Sequence, residues 1–227
     1  MSVLADKYDF KSASSLTKVQ ESAELLRDLQ TAFNDLLPED KASLTLYPEH
    51  LRKTIDKIAD WIGNDLNTGV YKAGFAPDQA TYEKNLPPVF GALNALEKII
   101  HRNGGPYILG QHMTELDVRV YSTLIRFDTI YVQHFKCNLG MIRREYPVLH
   151  NWLKGMYWRH SEYRDTTDFK HIKENYSKSH YDVNPKAITP WGPWPHIEEG
   201  YEEDWSIIRP GGVDMPEVLE AEKKLPV

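Results

Sequence analysis

Apolar residues along this chain recur at spacings of three and four, the period at which a helix returns to one face, and strand-like alternation is nearly absent. Leu25, Leu26, Leu29, Phe33 and Leu36 mark a first helix that begins near Thr17 and is stopped by Pro38. A second opens at Pro48, where proline suits the first turn, and carries Leu51, Ile55, Ile58, Ile62 and Leu66 to Gly69. The third begins near Asp78 with Leu86, Val89, Phe90, Leu93, Leu96 and Ile100 on its apolar face, and stops at Asn103-Gly104-Gly105-Pro106. Pro87 and Pro88 are expected to kink or divide it, because each removes a backbone donor and crowds the preceding turn.

The fourth helix is the best specified. Thr114-Glu115-Leu116-Asp117 reads as a capping box, in which the Thr114 hydroxyl accepts from the amide three residues on, Asp117 reaches back, and Met113 staples against Val118. Val120, Leu124, Phe127 and Tyr131 continue its face, so residues 115–132 are expected at the centre of a helical bundle. As caps alone, Thr114 and Asp117 together contribute on the order of 1 to 2 kcal/mol. Further helices are expected over residues 146–158 and 167–180. Beyond Asn184-Pro185 the chain turns to Pro, Gly, acid and aromatics. Trp191, Trp194, Tyr201 and Trp205 are expected to anchor this tail over the helices, since large rings are costly to leave in water.

Composition acts mainly by exclusion. Hydrophobic residues at 41% and charged ones at 26% suit one compact domain with a fragment or tail attached. The formal charge of -6, with the basic residues dispersed, gives no electrostatic reason to bind nucleic acid or an anionic membrane. No run approaches the roughly 20 apolar residues that span a bilayer, and the first residues lack a signal peptide's apolar stretch, so the chain reads as cytoplasmic. Cys137 is the one cysteine, which rules out an intramolecular disulfide and a Cys-rich zinc site. The nine histidines show no HExxH or comparable ligand spacing, so no metal is expected.

Four segments belong together. NTGVYKAGFA (67–76), YILGQHMTELDVRVYSTLIRFDTIYVQHFKCN (107–138), HIKENYSKSH (171–180) and NPKAITPWGP (184–193) resemble the glutathionyl-hydroquinone reductases, which are Xi-class, omega-like glutathione transferases. The resemblance runs over roughly residues 19–193. It implies an all-α fold: a glutathione transferase C-terminal helical bundle over residues 51–183, followed by an extended Pro/Trp/acid-rich tail over 184–227. Before the bundle it implies a leader and a remnant helix of a thioredoxin-like domain in residues 1–37, and a linker over 38–50.

The resemblance further implies glutathione as co-substrate, a quinol-type aromatic ligand, and a homodimer. In such enzymes a cysteine thiolate in a Cys-Pro-Trp motif attacks the sulfur of a glutathionyl-hydroquinone and releases the hydroquinone, and a second glutathione clears the mixed disulfide. No Cys-Pro-Trp occurs here, and residues 1–37 are too few for a thioredoxin fold of roughly 80 residues. Most of that domain is therefore expected to be missing, with no catalytic nucleophile in this chain and no activity from it alone. An alternative is a non-catalytic dimerisation or ligand-binding module.

Glu21 and Ser22 match the family's glutathione-binding pair, a carboxylate for the γ-glutamyl ammonium and a hydroxyl for its carboxylate. They also read as solvated first-turn residues behind a capping box of Thr17 to Gln20. Tyr71 and Tyr176 match tyrosines that line the electrophile pocket, where a phenol donates a hydrogen bond without ionising; as plain aromatics they would pack at helix ends. Cys137, Asp117 and Asp128 are expected to be structural, and His171 and His180 have no evident acid-base partner.

Overall fold

The computed structural model describes residues 22–214, and the chain divides into two compact units, Met1–Leu51 and Arg52–Val227. In the first unit, α1 (Ser22–Thr31) is followed by a 3-10 turn (Asn34–Leu36), the short α2 (Glu39–Ala42) and another 3-10 turn (Glu49–Leu51). The first predicted helix thus ends at Thr31, short of Leu36, and its start lies outside the described residues. Gln30 ties α1 to the linker by accepting the Leu46 amide at 2.8 Å, and the Arg27 guanidinium sits 3.9 Å over the Tyr47 ring.

The second unit opens with α3 (Arg52–Trp61), which continues as a π turn (Ile62–Asn67), and α4 (Gly69–Gly74). The long α5 (Gln79–Asn103) and the central α6 (Glu115–Arg126) come next, α6 running into a second π turn, Phe127–Tyr131. α7 (Ile142–Glu145), α8 (Pro147–Arg159), α9 (Ser161–Asp165) and α10 (Phe169–Ser179) complete it. No strand occurs among the described residues, and no helix there is long and apolar enough to cross a membrane. Ile55, Ile58, Phe90, Leu93, Leu96, Phe127 and Trp152 form a fully buried core, with α4 packed on α5 and α8 on both α5 and α6.

Of the two outcomes expected at Pro87 and Pro88, division does not occur: both lie inside a single unbroken helix, α5. The carbonyls they leave without an amide, four residues back, belong to Glu83 and Lys84, both exposed and so open to solvent. Buried Leu86, Val89 and Phe90 hold that turn to the core. Asp78 caps the start by accepting the Thr81 amide at 2.8 Å, and Gly104, in the left-handed region at φ 69°, closes the end.

Buried carboxylates join the helices. Asp117, fully buried, takes four donors: the Thr114 amide at 2.9 Å and hydroxyl at 3.2 Å, completing a capping box, the Ile108 amide at 2.9 Å, and the Trp152 indole N–H at 3.1 Å. One side chain therefore fixes the start of α6, the loop before it and α8. Glu97 of α5, also fully buried, accepts the Val148 and Leu149 amides at 3.0 and 2.8 Å and so caps α8 from a neighbouring helix. Asp128 does the same for α7 through the Ile142 and Arg143 amides, at 2.7 and 3.2 Å. Burial raises the pKa of all three, against the pull of these hydrogen bonds.

The tail lies along this scaffold with its anchors distributed unevenly. Trp205 is buried against Gly105, where a Cβ would fall 2.2 Å from the indole. Glu97 accepts the Gly211 amide at 3.0 Å, and Asn94 pairs with both backbone groups of Val213. Trp191 and Trp194, expected as anchors, are instead 82% and 59% exposed and meet edge to face at 5.9 Å. Backbone carbonyls fasten that stretch, with Lys173 donating to the Trp191 carbonyl at 2.9 Å and standing 5.3 Å over the Trp194 ring.

Because Asp117 has two buried donors besides its cap, Asp117→Ala should destabilise by about 4 kcal/mol, several times the ~1 kcal/mol of a simple N-cap. Thr114→Ala should stay near the cap value. Denaturant unfolding of the two variants checks this, and equal losses would remove Asp117 from its joining role.

Candidate functional site

Three tyrosines from three elements converge on one point. Tyr71 comes from α4, Tyr131 from the end of the second π turn, and Tyr176 from α10. The Tyr176 hydroxyl is 2.5 Å from that of Tyr71 and 3.0 Å from that of Tyr131. Exposure falls along the row, from 36% at Tyr71 to 8% at Tyr176 and 2% at Tyr131, so the hydroxyls run from the surface inward.

Local sequence explains the convergence. A π turn holds an extra residue and re-aims the side chains around it; Tyr131, His134 and Phe135 follow from such a turn. Gly74 allows Phe135 to lie against the α4 backbone, since a Cβ there would sit 2.2 Å from the ring. Phe135 then stacks on Tyr131 at 5.5 Å and meets Tyr71 edge-on at 5.1 Å. His134 and His180 close the cluster through a ring nitrogen contact of 3.1 Å, with His180 stacked on Phe135 at 5.7 Å and half-exposed Phe75 at its edge.

Burial disfavours charge on Tyr131, Tyr176, His134 and His180. Burial pushes Tyr176 up to about 12 and Tyr131 higher still, so both remain phenols and serve as hydrogen-bonding groups rather than bases. Burial, reinforced by His180 and Lys136, holds His134 down to about 4, and burial also lowers His180. Three hydroxyls carry three protons and their two mutual bonds use two, which leaves one O–H to donate elsewhere.

The structure brings Tyr71 and Tyr176 into contact and adds Tyr131, His134, His180 and Phe135, which the sequence reading left out of the pocket. The missed signal is the Tyr131, His134, Phe135 run at helical spacing. Cys137 is fully buried with its thiol pushed up to about 12 by burial, and His171 is exposed beside the Asp168 cap of α10. Glu21 and the Ser22 side chain lie outside the described residues.

Relatives sharpen this picture. The family model for the glutathione S-transferase C-terminal domain matches residues 79–155. "Glutathione S-transferase omega-like 2" of Schizosaccharomyces pombe is 50% identical over 179 residues, covering 78% of this chain and 57% of that protein. "Glutathionyl-hydroquinone reductase YqjG" of Escherichia coli is 39% identical, covering 81% of this chain and 54% of that protein. Its glutathione-bound structure superposes with a TM-score of 0.74 at 38% identity, over 81% of this chain and 57% of that one. The crystal structure of the glutathione-S-transferase Xi from Phanerochaete chrysosporium gives 0.75 at 49% identity, over 78% of this chain and 59% of that one. The chain spans little more than half the length of the curated relatives it matches.

The depressed pKa of His134 sets a pH dependence. The folded state holds fewer protons than the unfolded between about 4 and 6.5, so stability is lost as pH falls through that window. Melting temperatures recorded across it should fall less steeply for His134→Gln than for the parent chain, and parallel curves would contradict this assignment.

Proposed function

The chain is a homologue of the Xi-class and omega-like glutathione transferases, carrying their C-terminal domain, and we propose that it supplies the electrophile-binding half of a glutathione-dependent reductase of glutathionyl-hydroquinones. The tyrosine cluster carries this reading. If Tyr131, the most buried, donates to Tyr176 and Tyr176 to Tyr71, the remaining proton faces outward from the half-exposed Tyr71. Hydrogen bonds in series polarise one another, so this donor is stronger than a lone phenol. It is suited to an oxygen of a quinol ring. Phe75, 43% exposed and backed by buried Phe135, offers the ring an apolar flank.

In the proposed reaction a thiolate from a Cys-Pro-Trp domain attacks the glutathionyl sulfur. An S–S bond to the cysteine forms and the S–C bond to the ring breaks. The electron pair passes to the ring, whose oxygen takes the hydrogen bond while the ring carbon collects a proton. A second glutathione, as its thiolate, then attacks the sulfur of the bound glutathione and expels the cysteine, giving glutathione disulfide and restoring the cysteine thiolate. Cys137 cannot take the nucleophile's part, because a thiol held near a pKa of 12 is almost wholly protonated at neutral pH. Alone, the 227 residues are therefore inactive. Glutathione contacts through Glu21 and Ser22 belong to the same proposal.

The exposed apolar stripe of α1, with Leu25 at 47% and Leu29 at 53%, supports reading it as the last helix of a thioredoxin-like domain, a helix built to be covered. Where nothing covers it, the chain is expected to self-associate. Sedimentation at micromolar concentration should show a dimer or larger, and a clean monomer rejects this.

Activity and binding separate the two halves of the proposal. With glutathionyl-menadiol and excess glutathione, the purified chain should show no turnover above the uncatalysed rate, and Cys137→Ser should behave identically. Turnover abolished by Cys137→Ser would overturn the inactivity. Glutathionyl-menadiol should nevertheless bind, and Tyr176→Phe should weaken it by up to about tenfold, the worth of a hydrogen bond. Equal affinity in that variant would remove the tyrosines from the pocket.

A further inference from the structure

The tail is fastened to the bundle at alternate carbonyls. That of Trp194 accepts from Arg143 at 2.9 Å, that of His196 from His150 at 3.0 Å, and that of Glu198 from the Trp158 indole at 3.0 Å. Alternate carbonyls turned one way are the mark of locally extended backbone, in which residues 196 and 198 present their side chains to a common side. His150, from the second turn of α8, stands against them. One ring nitrogen of His150, one of His196 and a carboxylate oxygen of Glu198 all lie within 4.8 Å of one another.

We propose that His150, His196 and Glu198 form a binding site for a divalent transition-metal ion, zinc by preference, which clips the tail to α8. Two imidazoles and a carboxylate are a recurrent zinc donor set, with a fourth position open to water. Donor atoms on a tetrahedral zinc stand roughly 3.3 Å apart, so the trio must close by about 1.5 Å at its widest. The exposed side chains of His196 and Glu198 can make that movement while three backbone anchors hold the segment in register.

The charges already there point the same way. His196 Nδ1 lies 3.0 Å from Glu198 Oε2, a contact that closes around a proton where the ion would close around itself. Lys154 Nζ lies 3.2 Å from Glu198 Oε1, so a cation already occupies that carboxylate and would compete with the metal. A spacing search misses this site because its two histidines are 46 residues apart and meet only through the tail's path.

Calorimetric titration of the full chain with Zn2+, repeated with Co2+ to read its visible absorption, tests the proposal. One ion per chain is expected, with a tetrahedral Co2+ spectrum. His150→Ala and His196→Ala should each weaken binding by at least the ~10-fold that loss of even an outer-shell partner costs. Lys154→Ala should strengthen it. Zn2+ should protect the tail from limited proteolysis in the parent chain and not in His196→Ala, whose exposed position leaves the fold intact by circular dichroism. Absence of saturable binding in the parent chain overturns the site. So does binding unchanged in both histidine variants, which would place the ion elsewhere, as at His134 and His180.

Discussion

A carboxylate taken into a protein interior must be met by donors, and this requirement organises the bundle around Asp117. Its two oxygens accept four hydrogen bonds, two from the Thr114 cap and two from other segments, the Ile108 amide and the Trp152 indole. Neither the loop before α6 nor the Trp152 ring of α8 can move without stranding a buried charge or a buried N–H, and either loss costs more than the bond itself was worth. Glu97 repeats the logic between α5, the start of α8 and the tail, and Asp128 between the second π turn and α7. Apolar burial supplies the bulk of the stability in such a bundle, but it is non-directional. The carboxylates determine which helix ends meet.

The tyrosine cluster depends on that positioning. α6 enters the core at a fixed point set by Asp117 and leaves it through the π turn, which delivers Tyr131 and Phe135 to α4 and α10. Gly74 completes the fit on the α4 side. A shift of α6 along its axis would carry Tyr131 away from Tyr176 and leave two buried phenols with fewer partners. The same hydrogen bonds that satisfy the hydroxyls therefore report whether the scaffold is in register.

Much of this was legible in the chain. Period-three-and-four apolar positions located the principal helices, because a helix that buries one face must write that face into its sequence. The Thr114 to Asp117 cap showed where the central helix begins. Three kinds of feature were not legible. Pro87 and Pro88 left a divided helix open as well as a kinked one, since a local rule cannot register that the carbonyls they strand lie on exposed residues. Trp191 and Trp194 read as anchors, since composition does not reveal that Arg143, His150 and Trp158 hold the backbone instead. Glu97 gave no signal at all, because the amides it caps lie on a helix some fifty residues away. Tyr131 lay in plain view on the central helix, yet an aromatic on an apolar face reads first as core, and it is core; its second use as a hydrogen-bond partner depends on α10.

The cluster's chemistry also bears on the proposed division of the reaction between two domains. Tyr131, Tyr176, His134 and His180 are all held neutral by burial, in the direction that suppresses charge in each case. Such groups can receive and orient a ligand oxygen, and can stabilise charge that develops on it, at no cost in reorganisation. They cannot generate a nucleophile, for which a depressed thiol pKa and a polar, electropositive setting are needed. The two requirements conflict within one apolar cluster. The proposed reaction avoids the conflict by drawing its thiolate from a separate domain, so that the phenols of the helical half can stay buried and protonated while the nucleophile ionises elsewhere. Cys137 illustrates the opposite case, a thiol inside the helical domain that burial has made inert.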